Sequence, residues 1–226
     1  MKSKVLTLLL GCCALLLGLA PLPARAEEPL DLMTYYRNPR PGLLPDYLHD
    51  MSLDPALNED AADLYAVFLA AALNQSPIDA QAALDKASTL PQDKSVLALK
   101  TAWLMNDRPG RAFLRQAAER GWPDAADMLR TPPPDFRNPQ RLDAFYLDCM
   151  WVTFFATGRD WPVLKVVSAL DVDPKSVDDG VLRTAAAWSL KSNAGNHPRV
   201  LAILREVRQT ASPRLAAQLD EILSKK

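Results

Sequence analysis

Proline recurs along this chain at positions where helices can begin, and this pattern limits the fold more than any other feature. The sequence has 19 prolines but only eight glycines. Several prolines follow a residue that caps helices well: Ser76-Pro77, Asn138-Pro139, Asp173-Pro174 and Ser212-Pro213. Proline is tolerated in the first helical turn, because its missing N–H would have no partner there. The pattern therefore predicts many short helices joined by tight turns.

Apolar residues repeat with the helical period between these prolines. The first stripe from Asn58 onward contains Leu64, Val67, Phe68, Ala71 and Ala72. Two later stripes are Leu142, Phe145, Cys149, Val152 and Ala156, and Val181, Ala185, Trp188 and Ser192. Spacings of three and four residues place each stripe on one helix face, and no run alternates as a strand would. We therefore predict an all-α fold.

Proline content also divides the chain into segments. Prolines interrupt residues 27–55 too often for a long helix, so we expect an irregular N-terminal arm that partly packs on the body. The run 131–135 contains three consecutive prolines and predicts a stiff connector. These boundaries give a first helical subdomain at 56–130 and a second at 136–226.

The first 26 residues have the three parts of a secretory signal peptide. Lys2 and Lys4 precede an apolar stretch at 5–19, which is too short to span a bilayer as a helix. Ala24 and Ala26 frame an A-x-A cleavage site. We therefore expect export to the periplasm of a bacterium, with no membrane-spanning segment after processing.

An alternative interpretation of the same region is a lipoprotein. Leu9-Leu10-Gly11-Cys12 resembles a bacterial lipoprotein box, in which Cys12 would be acylated and anchor the protein to the envelope. The apolar stretch before Cys12 is very short for that role, so periplasmic export remains the first expectation.

Helix starts that alternate along the chain are spaced like helical repeats. Pro77 and Pro109 lie 32 residues apart, and Pro139 and Pro174 lie 35 apart. Stacked helical hairpins have periods of this length, and each hairpin buries its apolar face against its neighbours. The spacing predicts stacked antiparallel helical hairpins, as in an α-solenoid.

The stretch 112–126 resembles the junction between Sel1-like repeats, and residues 82–99 resemble a tetratricopeptide junction. The first carries the run AFLRQAAERG followed by Trp122-Pro123-Asp124-Ala125-Ala126, and the second has Ala83, Ala87 and Pro91 in order. The resemblance covers residues 82–129. It implies a scaffold that binds other proteins or peptides and has no catalytic activity of its own.

Composition and motifs exclude several classes of function. His49 and His197 are the only histidines, so a multi-histidine metal site is impossible, and we predict neither a metal nor a cofactor. The sequence contains none of the glycine-rich phosphate-binding motifs and no G-x-S-x-G, so we predict no catalytic residues. Removing three basic residues with the signal peptide changes the net charge from −1 to −4, which argues against nucleic-acid binding.

Charge is distributed unevenly along the chain. Residues 43–107 contain ten acidic residues and three lysines, whereas residues 180–226 contain eight basic and three acidic residues. A molecule with one acidic and one basic end could dock on an oppositely charged envelope partner or on a second copy of itself. Self-association through these two halves is therefore one expectation.

The densest polar cluster joins two apolar helices near residue 195. Asn193, Asn196, His197 and Arg199 are the candidate binding residues, although every residue there could also form a helix-turn-helix corner, with Gly195 ending one helix. The role of five aromatic residues is also open, because such residues either fill the core or line a groove. They are Trp151, Phe154, Phe155, Trp161 and Trp188.

Two functions remain open from the residues alone. The first is an exported helical-repeat protein that works by protein–protein contact in the cell envelope. The alternative is a periplasmic helical bundle that binds a small molecule or lipid between its helices.

Overall fold

The structure, a computed structural model, describes residues 30–139, 142–171 and 176–224, apart from the side chain of residue 178. The predicted signal peptide, with Ala24, Ala26 and the alternative lipidation site Cys12, lies outside these ranges, as does the predicted helix start at Pro174.

Helix is the regular secondary structure of the described residues, and they contain no strand, which confirms the all-α prediction. Short 3-10 helices span Leu32–Arg37, Pro41–Leu43 and Gln92–Lys94. The α-helices are α1 (Leu44–Leu53), α2 (Glu59–Leu73), α3 (Pro77–Ala87), α4 (Val96–Met105), α5 (Arg108–Glu119), α6 (Ala125–Arg130), α7 (Ala144–Thr157), α8 (Asp160–Leu170), α9 (Val177–Asn196), α10 (Pro198–Thr210) and α11 (Pro213–Leu223). No helix in the described ranges combines the length and apolar character that crossing a bilayer requires.

Residues 30–55, the described part of the irregular arm that we expected at 27–55, contain more helix than we expected. Besides two 3-10 helices, the segment forms α1, because Pro45 occupies the first helical turn, where its missing N–H costs nothing. Leu44 and Leu48 are fully buried on the inner face of α1, and Tyr35 is buried beside Phe68 with their ring centroids 5.4 Å apart. The segment is thus packed against the rest of the protein.

Side-chain capping explains where five of the eleven α-helices of the described residues begin. The Asp107 side chain accepts a hydrogen bond from Gly110 N at 2.8 Å, one residue before Arg108-Pro109, and Ser212 caps the helix that begins at Pro213. The predicted start at Asn138-Pro139 is wrong. α7 begins five residues later, at Ala144, because Asp143 accepts a hydrogen bond from Tyr146 N at 2.8 Å.

Helix α2 is the centre of the fold. It packs on α4 on the N-terminal side of the proline-rich connector and on α7 on its C-terminal side. Val67, Phe68 and Ala72 of the predicted stripe are buried, and so are Leu69 and Leu73, because α2 has neighbours on more than one face. The described residues from Asp31 onward consequently form one compact unit.

The apolar stripe predicted for α9 faces solvent, so that prediction is wrong. Val181 is 63% exposed and Trp188 is 73% exposed. The buried stripe is Leu182, Ala186 and Leu190, which has the same helical spacing. It packs toward α8, α10 and α11, and the outer face of α9 carries the largest exposed aromatic side chain.

A close approach at Gly158 fixes the N-terminal segment on α7. Gly158 ends α7 with a φ of 64°, a left-handed conformation that favours glycine. A Cβ atom at this position would lie 2.9 Å from Cδ2 of Tyr36, whose ring packs on Phe154 with centroids 4.8 Å apart. Glycine is therefore required here for both conformation and space.

We expect Gly158→Ala to lower the free energy of unfolding by about 1–3 kcal/mol, because it strains the backbone and displaces Tyr36. Gly121→Ala is the matched control, since Gly121 also has a positive φ, of 74°, but nothing within 4 Å of the added carbon. Urea denaturation of both variants measures the difference. Equal losses would contradict the role of the Tyr36 contact.

Candidate functional site

An open cleft with a volume of about 710 Å³ lies beside α9, and we call it the aromatic cleft. Four elements build its walls: the first 3-10 helix, α2, α7 and α9 with the residue after it. Its lining residues are Met33, Thr34, Leu64, Asp148, Trp151, Val152, Phe155, Trp188, Ser189, Ser192, Asn193, Asn196 and His197.

Helix α7 provides one wall of the cleft. Asp148, Trp151, Val152 and Phe155 are spaced at i, i+3, i+4 and i+7, so they share one helix face. Trp151 is only 6% exposed, and its indole N–H has no hydrogen-bond partner among the described residues. A buried donor without a partner costs free energy, so this N–H is a destabilising feature of the wall.

Asp148 is the acidic side chain in the same wall. It has neither a hydrogen-bond nor an ion-pair partner among the described residues, and partial burial raises the pKa of its carboxyl group above the usual value. Its place beside aromatic side chains in the wall of a cleft distinguishes it from Asp46 and Asp63, which are paired with Lys86 and Lys100.

The opposite wall comes from α9. Trp188, Ser192 and Asn196 lie one turn apart along the helix, and Ser189 and Asn193 lie beside them. The amide groups of Asn193 and Asn196 donate to the backbone oxygens of Ser189 and Ser192, at 3.0 and 3.1 Å. Each NH₂ group keeps a second N–H that these bonds do not use, so both side chains offer a donor as well as their Oδ1 acceptor.

His197 forms the inner end of the cleft and is only 3% exposed. Its ring lies among those of Tyr36, Phe154 and Phe155, with centroid distances of 5.9, 5.9 and 5.1 Å. Its Nδ1 atom lies 3.2 Å from the Tyr36 hydroxyl and 3.4 Å from a guanidinium nitrogen of Arg37. Arginine can only donate, so Nδ1 is the acceptor, and we assign the ring proton to Nε2.

Arg37 adds a second link between the N-terminal segment and the α9–α10 junction. Its guanidinium donates to the backbone oxygen of Asn196 at 2.5 Å. Burial, and then the charge of Arg37, lower the pKa of His197 below its ordinary value, while Asp31 opposes that change. The neutral imidazole thus holds the 3-10 helix Leu32–Arg37 in place as a wall of the cleft.

Three of the four predicted binding residues are brought together here. Asn193, Asn196 and His197 line the aromatic cleft. Arg199 does not, because it forms a two-pronged ion pair with Asp160, with its Nε–Oδ1 distance at 2.9 Å. Gly195 lies within the last turn of α9 and does not end that helix as we expected, since His197 is its C-cap.

Sequence reasoning missed Asp148 and Met33 as site residues. The signal for Asp148 was present, since it lies three and seven residues before Trp151 and Phe155 on one helix face. No signal pointed to Met33, because it reaches the cleft through long-range packing of the N-terminal segment on α7.

The five aromatic residues that we grouped together have three different environments. Trp151, Phe154 and Phe155 are buried around His197, whereas Trp188 is exposed. Trp161 lies in a separate cleft of about 440 Å³ near the connector, where the guanidinium of Arg137 covers its ring at 4.6 Å. Its cationic partner is thus supplied by the protein itself.

Cys149 is fully buried in α7, and burial raises the pKa of its thiol to about 12. Within the described ranges, no three His, Cys, Asp or Glu side chains lie close enough together to hold a metal ion.

Protonation of His197 should destabilise the fold. Because its pKa is lower in the folded state, the unfolded chain binds the proton first, and the free energy of unfolding falls as the pH drops below about 6.5. Urea midpoints at pH 7.5 and 5.5 measure this fall. His197→Asn keeps an acceptor near Nδ1 but does not titrate, so its stability should change less over this range, whereas His49→Asn should behave like the wild type.

Thiol labelling tests the burial of Cys149. In a Cys12→Ser/Cys13→Ser background, we expect Cys149 to react with a disulfide reagent only after unfolding, because the thiol is buried and protonated. Phe145→Cys on the same helix is the control, since Phe145 is 46% exposed and a thiol there should react at once. Rapid labelling of native Cys149 would contradict the packing of α7.

Comparisons with known proteins give no relative for this geometry. The chain matches no protein-family model, no curated protein and no solved structure. The resemblance to Sel1-like and tetratricopeptide repeats therefore stays a prediction.

Proposed function

We propose that this protein is an exported, non-catalytic binding module of a bacterial cell envelope, which receives a segment of another protein in the aromatic cleft. The main observation behind this proposal is the exposure of Trp188. This residue lines the cleft, and its large aromatic side chain is 73% exposed. Exposed aromatic residues next to a well-packed cleft are typical of the residues that dominate protein–protein binding energy.

The openness of the cleft favours a protein segment over the alternative, a small molecule or lipid enclosed between helices. Sites for small ligands bury about 70–90% of the ligand surface. The aromatic cleft is open along Trp188, and Met33 on the other side is also more than half exposed. A segment that continues beyond the cleft at both ends suits such an open site.

The chemistry of the cleft supports binding without reaction. His197 uses Nδ1 as an acceptor for Tyr36 and Arg37 and is enclosed by aromatic rings, so it is poorly placed to transfer a proton to a ligand. The nearby thiol of Cys149 is buried and its raised pKa keeps it protonated, which makes it a poor nucleophile.

Helix packing supports the finer part of the proposal, a repeat-like scaffold. In the first half, α1 packs on α3, α2 on α4 and α3 on α5, and in the second half α8 packs on α10 and α9 on α11. In a stack of two-helix units, each helix packs on the helix two places further along the chain.

Site-directed photo-crosslinking tests the proposal. With a photoactivatable phenylalanine analogue at Ser192, inside the cleft, we expect one defined protein adduct in cells of the native source. Ile78 is the control position, because it is apolar and 84% exposed but lies on α3. Trp188→Ala should reduce the Ser192 adduct several-fold, since it removes a cleft wall.

The same adduct at Ile78, or no adduct at Ser192, Asn196 and Thr34, would contradict a binding role for the cleft.

A further inference from the structure

The side chains that line the aromatic cleft provide a negative charge but no lysine or arginine. Asp148 and His197 are the ionisable residues among those that line it, and no lysine or arginine does so. Burial favours the neutral form of His197, so the charge within the cleft at neutral pH comes from the Asp148 carboxylate. An anionic ligand would therefore find no counter-charge on the walls.

Neutral hydrogen-bonding groups in the cleft include both donors and acceptors. One N–H of Asn193 and one of Asn196 are used within α9, so each side chain keeps a second N–H and its Oδ1 atom, and the Ser192 hydroxyl can donate or accept. The Asp148 carboxylate can only accept and carries the charge, so a ligand with a cationic donor is the one whose charge the cleft complements.

Aromatic rings supply the remaining surface. Trp151 and Phe155 from α7 and Trp188 from α9 line the same cleft as Asp148. The faces of such rings attract cations, and arginine both stacks on them and carries five donors. The aliphatic stems of arginine and lysine pack well on apolar walls while the charged end reaches a polar group.

We propose that the aromatic cleft binds an arginine or lysine side chain of the partner segment, with its cationic end at Asp148 and its stem against the aromatic rings. This inference rests on the proposed function, because it specifies the chemistry of the segment that the cleft receives.

Arg37 is a cation that the protein itself supplies beside His197 at the inner end of the cleft, and it does not fill this role. Its guanidinium is held by the backbone oxygen of Asn196 and lies next to the Tyr36 hydroxyl and His197. It does not pair with Asp148. In the connector cleft, by contrast, Arg137 already covers Trp161, so that ring is not available to a cation from a partner.

Nuclear magnetic resonance of the indole N–H groups provides the test, because the chain has five tryptophans and their signals can be assigned with Trp→Phe variants. The probe is the blocked tripeptide acetyl-Leu-Arg-Leu-amide. We expect it to shift the signals of Trp151 and Trp188 and to leave that of Trp122, which is buried beside Phe113, unchanged.

The matched probe replaces arginine with citrulline, which has nearly the same shape but no charge. We expect the citrulline peptide to bind about five-fold more weakly, the effect of a partly exposed ion pair. Asp148→Asn should weaken the arginine peptide by about the same factor and leave the citrulline peptide unchanged. Glu119→Gln, an exposed acid on α5, is the control and should change neither affinity.

The outcomes separate this inference from the proposed function. Equal affinities for the two peptides would contradict recognition of a cationic side chain but leave peptide binding intact. An Asp148→Asn variant that binds both peptides as the wild type does would have the same meaning. If free spermidine shifts the Trp151 and Trp188 signals at a lower concentration than the arginine peptide does, the cleft recognises a free polyamine and not a peptide side chain. That result would contradict the inference. No shift with any probe would overturn the inference, and loss of the Ser192 crosslink as well would overturn the proposed function.

Discussion

The buried contact between His197 and the Tyr36 hydroxyl connects three parts of this protein that are far apart in sequence. Tyr36 belongs to the N-terminal segment, the surrounding rings Phe154 and Phe155 belong to α7, and His197 joins α9 to α10. A neutral imidazole accepts one hydrogen bond and packs as an aromatic ring, which no other side chain does in the same space. It acts together with the packing of Tyr36 on Phe154 and the hydrogen bond from Arg37 to the Asn196 backbone oxygen to hold the first 3-10 helix, which provides the cleft wall that carries Met33.

The cleft exists because α7 and α9 each have a mixed face. The inner faces of both helices fill the core, and the adjacent faces carry polar and aromatic residues together. Asp148 sits one turn from Trp151 on α7, and Trp188 sits one turn from Ser192 on α9. These side chains line one open cleft, and the groups that remain without partners there define what a ligand must offer.

Helical periodicity was sufficient to predict the fold class, but it did not predict which face of every helix is buried. It placed Val67 and Phe68 of α2 correctly in the core, and because α2 is packed on more than one face, Leu69 and Leu73 outside the predicted stripe are buried as well. It misplaced Val181 and Trp188, because α9 has a second stripe through Leu182, Ala186 and Leu190 with the same spacing, and only tertiary contacts choose between them. The burial of His197 and the pairing of Arg199 with Asp160 depend on the same long-range contacts. Asn193 and Asn196 were predictable as site residues because they lie at an exposed corner, whatever the packing.

Amide hydrogen exchange of the segment Leu32–Arg37 tests most directly whether His197 anchors it. If the segment is docked through Tyr36 and His197, its amides should exchange much more slowly than those of an unfolded peptide at pH 7.5, and their protection should fall in acid as His197 gains a proton. Exchange at the rate of an unfolded peptide at pH 7.5, while the centre of α7 remains protected, would show that the segment is not docked and that the cleft lacks this wall.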